Sequence, residues 1–241
     1  MTVLAIDAGN TRIKWGFHNG HGWAATGAVG RQDVVRLSDA WKSLPQPTKI
    51  VAANVAGELI RNELGVLTAR WRLAPQWVVS QAVQCGVING YQQATQLGGD
   101  RWAALIGARH VHPGAAVVVM AGTAITVDAL TADGKFLGGL ILPGLDMTVE
   151  ALTSKTAGIR VERGEFQVFP TNTRDAVWSA AIQATVGAIG RMHAALLASG
   201  EASPVVILSG GGADLIESHF QPAIVRVDNL VLEGLLCIAT E

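Results

Sequence analysis

The segment Asp7-Ala8-Gly9-Asn10-Thr11-Arg12-Ile13-Lys14 puts a carboxylate, a glycine turn, two small polar side chains and a lysine close together. A carboxylate at a strand end beside glycine can hold a hydrated Mg²⁺ without adding bulk. Exposed turn N–H groups, with the Asn10 and Thr11 side chains, can donate to phosphate oxygens. Lys14 adds a point charge that reaches the same phosphates. An ordinary β-turn would use many of the same residues, because Asn and Gly favour turns on backbone grounds alone.

A second segment has the same design. Ala121-Gly122-Thr123-Ala124-Ile125-Thr126 follows an apolar run and supplies another glycine turn at a strand end. Two such turns facing each other across a cleft can clamp a triphosphate from both sides. Leu208-Ser209-Gly210-Gly211-Gly212-Ala213-Asp214 reads as a strand, a glycine triplet and a helix, which suits nucleotide contact at a helix N-terminus. A close helix–strand contact would also explain the triplet. No GxxxxGK[ST] occurs and the triplet does not complete GxGxxG, so P-loop and dinucleotide folds are disfavoured.

The third chemical element is Gly98-Gly99-Asp100-Arg101. Phosphoryl transfer to an alcohol needs a carboxylate within hydrogen-bond reach of the acceptor hydroxyl; positioning and charge neutralisation do the rest. Asp100 lies behind two glycines at an expected helix start, where backbone can approach a small substrate. Helix N-capping is the competing role for Asp100.

Positioning these segments requires a particular order of elements. Val3–Ile6, Ile13–Phe17 and Trp23–Val29 read as strands, with His18-Asn19-Gly20 as a hairpin turn. A helix near Val34–Trp41, a strand at Ile50–Ala53, a helix from Glu58 to Arg70 and a strand at Trp77–Val79 follow. The second half repeats the plan: strands at Val117–Val119, Ile125–Leu130 and Phe136–Leu142, then a long helix carrying Trp178, Ile182, Ile189, Met192 and Leu196. A strand at Val205–Leu208 comes next. Two copies of one strand–turn–strand–hairpin–strand unit, each with helices, imply a duplicated α/β fold. The expected domains are 1–112 and 113–241, packed over a shared interdomain cleft.

Composition narrows the function classes. Hydrophobic residues make up 49% and charged residues 15%, which disfavours disorder. A net charge of −1 offers no footprint for nucleic acid, and no basic run suggests a membrane surface. The apolar stretch from Ala115 to Val127 is short and interrupted, so it reads as buried strands. Asp7 comes too early for a signal peptide. Cys85 and Cys237, without CxxC spacing, read as buried thiols in a reducing cytoplasm. His110 and His112 are poorly spaced for zinc. The 28 glycines, about 12% against a usual ~7%, cluster at the ends of apolar runs.

With all three elements on one chain, the sequence resembles the acetate-kinase, sugar-kinase, heat-shock-chaperone and actin superfamily, built from duplicated ribonuclease-H-like domains. Within it the resemblance is to type III pantothenate kinase. It rests on Asp7–Thr11 with Lys14-Trp15, Gly98–Arg101, Gly122–Asp128, Gly138-Gly139 with Pro143-Gly144, and Asn172-Thr173. The resemblance implies ATP-dependent phosphorylation of pantothenate to 4′-phosphopantothenate, the first step of coenzyme A synthesis, by a cytoplasmic homodimer. It assigns Asp7, Ala8, Gly9, Asn10, Thr11, Arg12, Ile13 and Lys14 to the ATP phosphates, with Mg²⁺ at Asp7 through water, and Thr123 as the second phosphate contact. Asp100 becomes the proton acceptor. Tyr91, Gly98, Gly99, Asp100, Arg101 and Thr173 line the pantothenate site, Arg101 against the substrate carboxylate and Thr173 across a dimer interface.

One residue departs from the pattern. Similar proteins carry Asp where this chain has Met120, and that Asp helps bind a monovalent cation, K⁺ or NH₄⁺. A thioether is a poor ligand for a hard cation, so weakened cation dependence is expected. Asp128 stands nearby as another carboxylate or as a solvated strand-end residue. The alternatives in function are a transcriptional accessory or regulatory protein on the same fold, and a related sugar or acid kinase.

Overall fold

Alternating side chains and tight turns generate a three-stranded meander: β1 (Val3–Ala8), β2 (Arg12–His18) and β3 (Trp23–Gly30), all antiparallel. The computed structural model describes residues 1–155, 163–220 and 223–241. β4 (Lys49–Asn54) and β5 (Gln76–Trp77) run parallel to β1 on its other side, giving the order β3-β2-β1-β4-β5. The expected helix near 34–41 is mostly a 3₁₀ segment, Arg31–Arg36, kinked at Asp33 and followed by the single turn α1 (Leu37–Ala40). In α2 (Glu58–Thr68), Ile60, Leu64 and Thr68 recur every fourth residue and form its buried face.

A loop then carries the short hairpin β6 (Val83–Gln84) and β7 (Val87–Ile88) before α3 (Gly99–Val111). The plan now repeats. β8 (Ala116–Ala121), β9 (Ala124–Leu130) and β10 (Phe136–Pro143) form an antiparallel meander, followed by α4 (Leu145–Lys155) and α5 (Thr173–Ala198). β11 (Val205–Ser209), the single turn α6 (Asp214–Glu217) and β12 (Ile224–Arg226) give the sheet order β10-β9-β8-β11-β12. The two strand orders are one pattern used twice. That is the duplicated α/β architecture.

The chain divides into Met1–Pro113 together with Asn229–Glu241, and Gly114–Asp228. The last helix, α7 (Leu230–Thr240), therefore belongs with the first unit, not with an expected 113–241 domain. Close packing explains the return. A side chain at Gly234 would sit 1.7 Å from the Ala103 carbonyl oxygen, and one at Gly107 would sit 2.4 Å from that of Leu230. α7 also packs on β1 and β4, where its Leu230, Leu232 and Leu235 are buried.

On the opposite face of the first sheet, Leu4, Ile6, Ile13, Trp15, Phe17, Ile50 and Ala52 meet Leu37, Trp41, Leu64 and Trp71. Trp15 and Trp41 stack edge to face, with centroids 6.2 Å apart. Each such side chain contributes roughly 1.5–3 kcal/mol by burial. The Trp41 indole Nε1 is an exception within this core, buried without a hydrogen-bond partner. In the second unit, Trp178, Ile182, Ile189 and Leu196 of α5 cover Val117, Val119, Val127 and Leu208. Cys85 and Cys237 are free thiols and half-buried, so less enclosed than expected.

Candidate active site

In the first unit, β1 and β2 are joined by a turn closed by the Gly9 N–H donating to the Arg12 carbonyl, 3.1 Å. Asn10, Thr11 and Arg12 are exposed there, while Ala8 and Ile13 anchor the turn in the core. Asp7 and Lys14 are cross-strand partners, so their side chains share one sheet face. Asp7 is half-buried but crowded by protein. Burial first, and then the negative charge of Asp100, push its carboxyl up to about 7; Lys14 acts in the opposite direction. The charge of Asp100 thus acts on Asp7, linking the β1–β2 turn and the Gly98–Arg101 segment electrostatically within the first unit.

Asp100 is the second residue of α3, and Gly98 is the N-cap, so the capping role considered for Asp100 does not hold. Its Oδ1 accepts the Arg101 backbone N–H at 2.8 Å. The glycines are sterically required. A side chain at Gly98 would meet Asp100 Oδ1 at 2.6 Å, and one at Gly99 would meet the Val78 carbonyl oxygen at 2.8 Å. Arg101 is only 6% exposed, and its Nη1 donates to the Tyr91 hydroxyl at 2.9 Å. Tyr91, Gly98, Gly99, Asp100 and Arg101 thus form one cluster in the first unit. Two hydrogen-bonding residues there went unremarked in the sequence. Ser80 donates to the Leu97 carbonyl at 2.7 Å, and Asn89 accepts the Tyr91 N–H at 3.0 Å. The Asn89-Gly90 dipeptide was the available signal, a turn marker beside the only tyrosine.

Thr123 and Thr173 lie in the second unit. Thr123 is exposed in the β8–β9 turn, and its carbonyl accepts the Gly144 N–H at 2.9 Å. Thr173 is the exposed first residue of α5, behind the N-cap Asn172, which accepts the Asp175 N–H. The glycine triplet packs on the β8–β9 turn: Gly212 N–H donates to the Ala121 carbonyl at 3.0 Å. The helix beyond the triplet is only four residues long, so close packing accounts for the triplet better than a helix N-terminus does. Asp128 is corrected too. It is fully buried inside β9, and a side chain at Gly139 would meet its Oδ1 at 1.9 Å. Met120 pairs with Thr126 and Ser209 across the sheet.

Among the described residues, no three His, Cys, Asp or Glu side chains converge to hold a metal ion. The Asp7–Asp100 environment still suits Mg²⁺, which is commonly bound by one or two carboxylates while keeping waters and substrate phosphates. Two carboxylates whose charges interact, one of them with its proton affinity raised, are the donor chemistry such an ion offsets.

A sequence model of the type III pantothenate kinase family matches residues 3–195. The type III pantothenate kinase of Nitrosospira multiformis is 44% identical over 239 residues, covering 99% of this chain and 91% of that protein. A solved structure described as a Baf family transcriptional activator from Campylobacter jejuni superposes with a TM-score of 0.62. It is 22% identical, with 98% of this chain and 97% of that one covered. A second, described as a 2-dehydro-3-deoxygalactonokinase from Sinorhizobium meliloti, gives 0.58 at 17% identity, covering 98% of each chain. Those two likenesses establish the fold, and the sequence matches establish more. The chain belongs to the type III pantothenate kinase family.

Proposed function

We propose that this chain transfers the γ-phosphoryl group of ATP to pantothenate with Asp100 as proton acceptor. ATP-dependent phosphorylation of pantothenate, which opens coenzyme A synthesis, is the activity of its family. The assignment of residues to steps is our reading. The pantothenate 4′-hydroxyl oxygen forms a bond to the γ-phosphorus as the bond to the β–γ bridging oxygen breaks. The hydroxyl proton passes to an Asp100 carboxylate oxygen, leaving ADP and 4′-phosphopantothenate. Arg101 and Tyr91 hold the substrate's acid end, and Gly98 and Gly99 let the start of α3 pack against Val78 so that Asp100 and Arg101 are presented together.

Residues 7–14 bind the ATP phosphates through turn N–H groups, Asn10, Thr11 and Lys14, and Thr123 supplies the second contact. Asp7 would hold Mg²⁺ through water; when bound, that ion neutralises phosphate charge. The observation that supports this reading is that the charge of Asp100 is felt at Asp7, as expected if the proposed base lies near the phosphate-binding strand end. Thr173 reaching pantothenate from a partner subunit, a homodimer and a cytoplasmic location complete the proposal. Among the described residues, no helix is long and apolar enough to cross a membrane.

The test is product formation by the purified protein from ATP and pantothenate, followed by mass. 4′-Phosphopantothenate is expected. Turnover only with a sugar or short acid would move the reading to a related kinase.

A further inference from the structure

The loop between β5 and α3 carries Tyr91 but has almost no regular structure to fix it. Side-chain hydrogen bonds supply much of that hold, and three of them are made by one residue. Asn89 Nδ2 donates to the Gln81 carbonyl and to the Ala94 carbonyl, each at 3.2 Å. Its Oδ1 accepts the Tyr91 N–H at 3.0 Å, and its own N–H donates to the Ala82 carbonyl at 2.9 Å. The bond to Tyr91 spans two residues, the Asx-turn pattern that Asn forms readily. Both amide hydrogens and the amide oxygen are therefore used, and only Asn supplies that set at this length.

The strands on either side cannot replace it. β6 and β7 are two residues each, too short to hold a loop by themselves. Their turn, Cys85-Gly86, has positive φ at both residues, 47° and 74°. That matches the type I′ hairpin, with Cys where Asn, Asp or Gly is favoured. Asn89 instead ties the chain before the hairpin, the Tyr91 segment and the 3₁₀ turn Ala94–Gln96 into one unit. Downstream, Ser80 fixes Leu97, and Gly98 and Gly99 follow.

We infer that Asn89 is a positioning residue for pantothenate binding: it holds Tyr91 where its hydroxyl receives Arg101 Nη1 and so sets the geometry of both groups toward the substrate's acid end. The inference rests on the assignment of Tyr91 and Arg101 to pantothenate made above. The hydrogen bonds of the Asn89 side chain all go to backbone groups of its own loop, so its role is one of positioning. Its loss weakens binding of ground state and transition state alike, which raises KM and leaves kcat unchanged.

The experiment compares Asn89→Ala, Asn89→Asp, Tyr91→Phe and the Asn89→Ala/Tyr91→Phe double variant in the full-length protein, with steady-state kinetics for both substrates and thermal melts. Asn89→Ala is expected to raise KM for pantothenate about ten-fold, with kcat and KM for ATP within about two-fold. Asn89→Asp, which keeps the Tyr91 acceptor but sets an oxygen against two carbonyls, is expected to do the same. Because the two residues act as one unit, the double variant should be no worse than about ten-fold, not a hundred-fold. Multiplying effects, a parallel rise in KM for ATP, or wild-type KM in Asn89→Asp would overturn the inference. If Tyr91→Phe shifts KM and Asn89→Ala does not, only the inference falls; a silent Tyr91→Phe removes the substrate assignment beneath it.

Discussion

The two repeats differ tellingly at one equivalent position. Asp7-Ala8-Gly9 and Met120-Ala121-Gly122 occupy the same place, at the end of the central strand of each sheet. In the first repeat the residue is a carboxylate, paired across the strands with Lys14 and coupled to Asp100. In the second it is a thioether, paired with Thr126, whose hydroxyl is buried without a hydrogen-bond partner. Backbone geometry is thus duplicated while the chemistry is not. The charged groups proposed for the reaction lie in the first unit, while the carboxylate of the second, Asp128, is enclosed beneath Gly139.

The strongest way to break this asymmetry is to remove its charge. Asp7→Asn is expected to lower kcat/KM by about 10²–10³-fold, since it removes the proposed Mg²⁺-holding group. The same variant has an opposite effect on stability without metal. Asp7 has a folded pKa of about 7 against an ordinary value of 3.8. Its contribution to stability is therefore full below about pH 4 and is lost as pH rises through 7. Metal-free Asp7→Asn should match the parent in thermal melts near pH 4 and exceed it at pH 8. A pH-independent difference would contradict the buried-carboxylate account.

Met120 tests the other side. Because a thioether coordinates hard cations poorly, replacing potassium by a bulky organic cation should change the rate by less than about two-fold. Met120→Asp, set opposite the Thr126 hydroxyl, should confer potassium activation. Strong activation of the unmodified protein would show the prediction wrong. Gly139→Ala presses a methyl group against the Asp128 carboxylate and the Val127 carbonyl, and overpacking of this kind costs about 1–3 kcal/mol. Urea titration reads that loss. The smallest effect belongs to Trp41→Phe, which removes an orphaned indole N–H and should leave stability within about 1 kcal/mol. A larger drop would mean that the indole's shape, not its polarity, dominates the tryptophan cluster.

Much of this was legible in the residues. Apolar runs ending in Asp7-Ala8-Gly9 and Ala121-Gly122-Thr123 mark strand ends, and the strands, turns and sheet repeat follow from period-2 patterning. Gly98-Gly99 before Asp100 reads as room for a small substrate, whereas what approaches these glycines is the Val78 carbonyl and the Asp100 carboxylate. Other features depend on contacts between distant residues. α7 is apolar almost all round, which says that it is buried but not where. Its address is set by Gly107 and Gly234, whose meaning appears only when they face each other's helices. Asp128 sits in an ordinary strand pattern, and only its register with Gly139 reveals an enclosed carboxylate. The hairpin of β6 and β7 is too short for any periodicity. Asn89 carries no sequence signal beyond a turn dipeptide, because local sequence does not show which carbonyls a side chain will reach.

The account stands most directly on Asp100, and a single-turnover assay of Asp100→Asn with saturating ATP and pantothenate examines it. The prediction is a loss of about 10²–10⁴-fold in the rate of 4′-phosphopantothenate formation, with ATP binding and the melting temperature retained. A rate within about three-fold of the parent would contradict proton acceptance by that carboxylate.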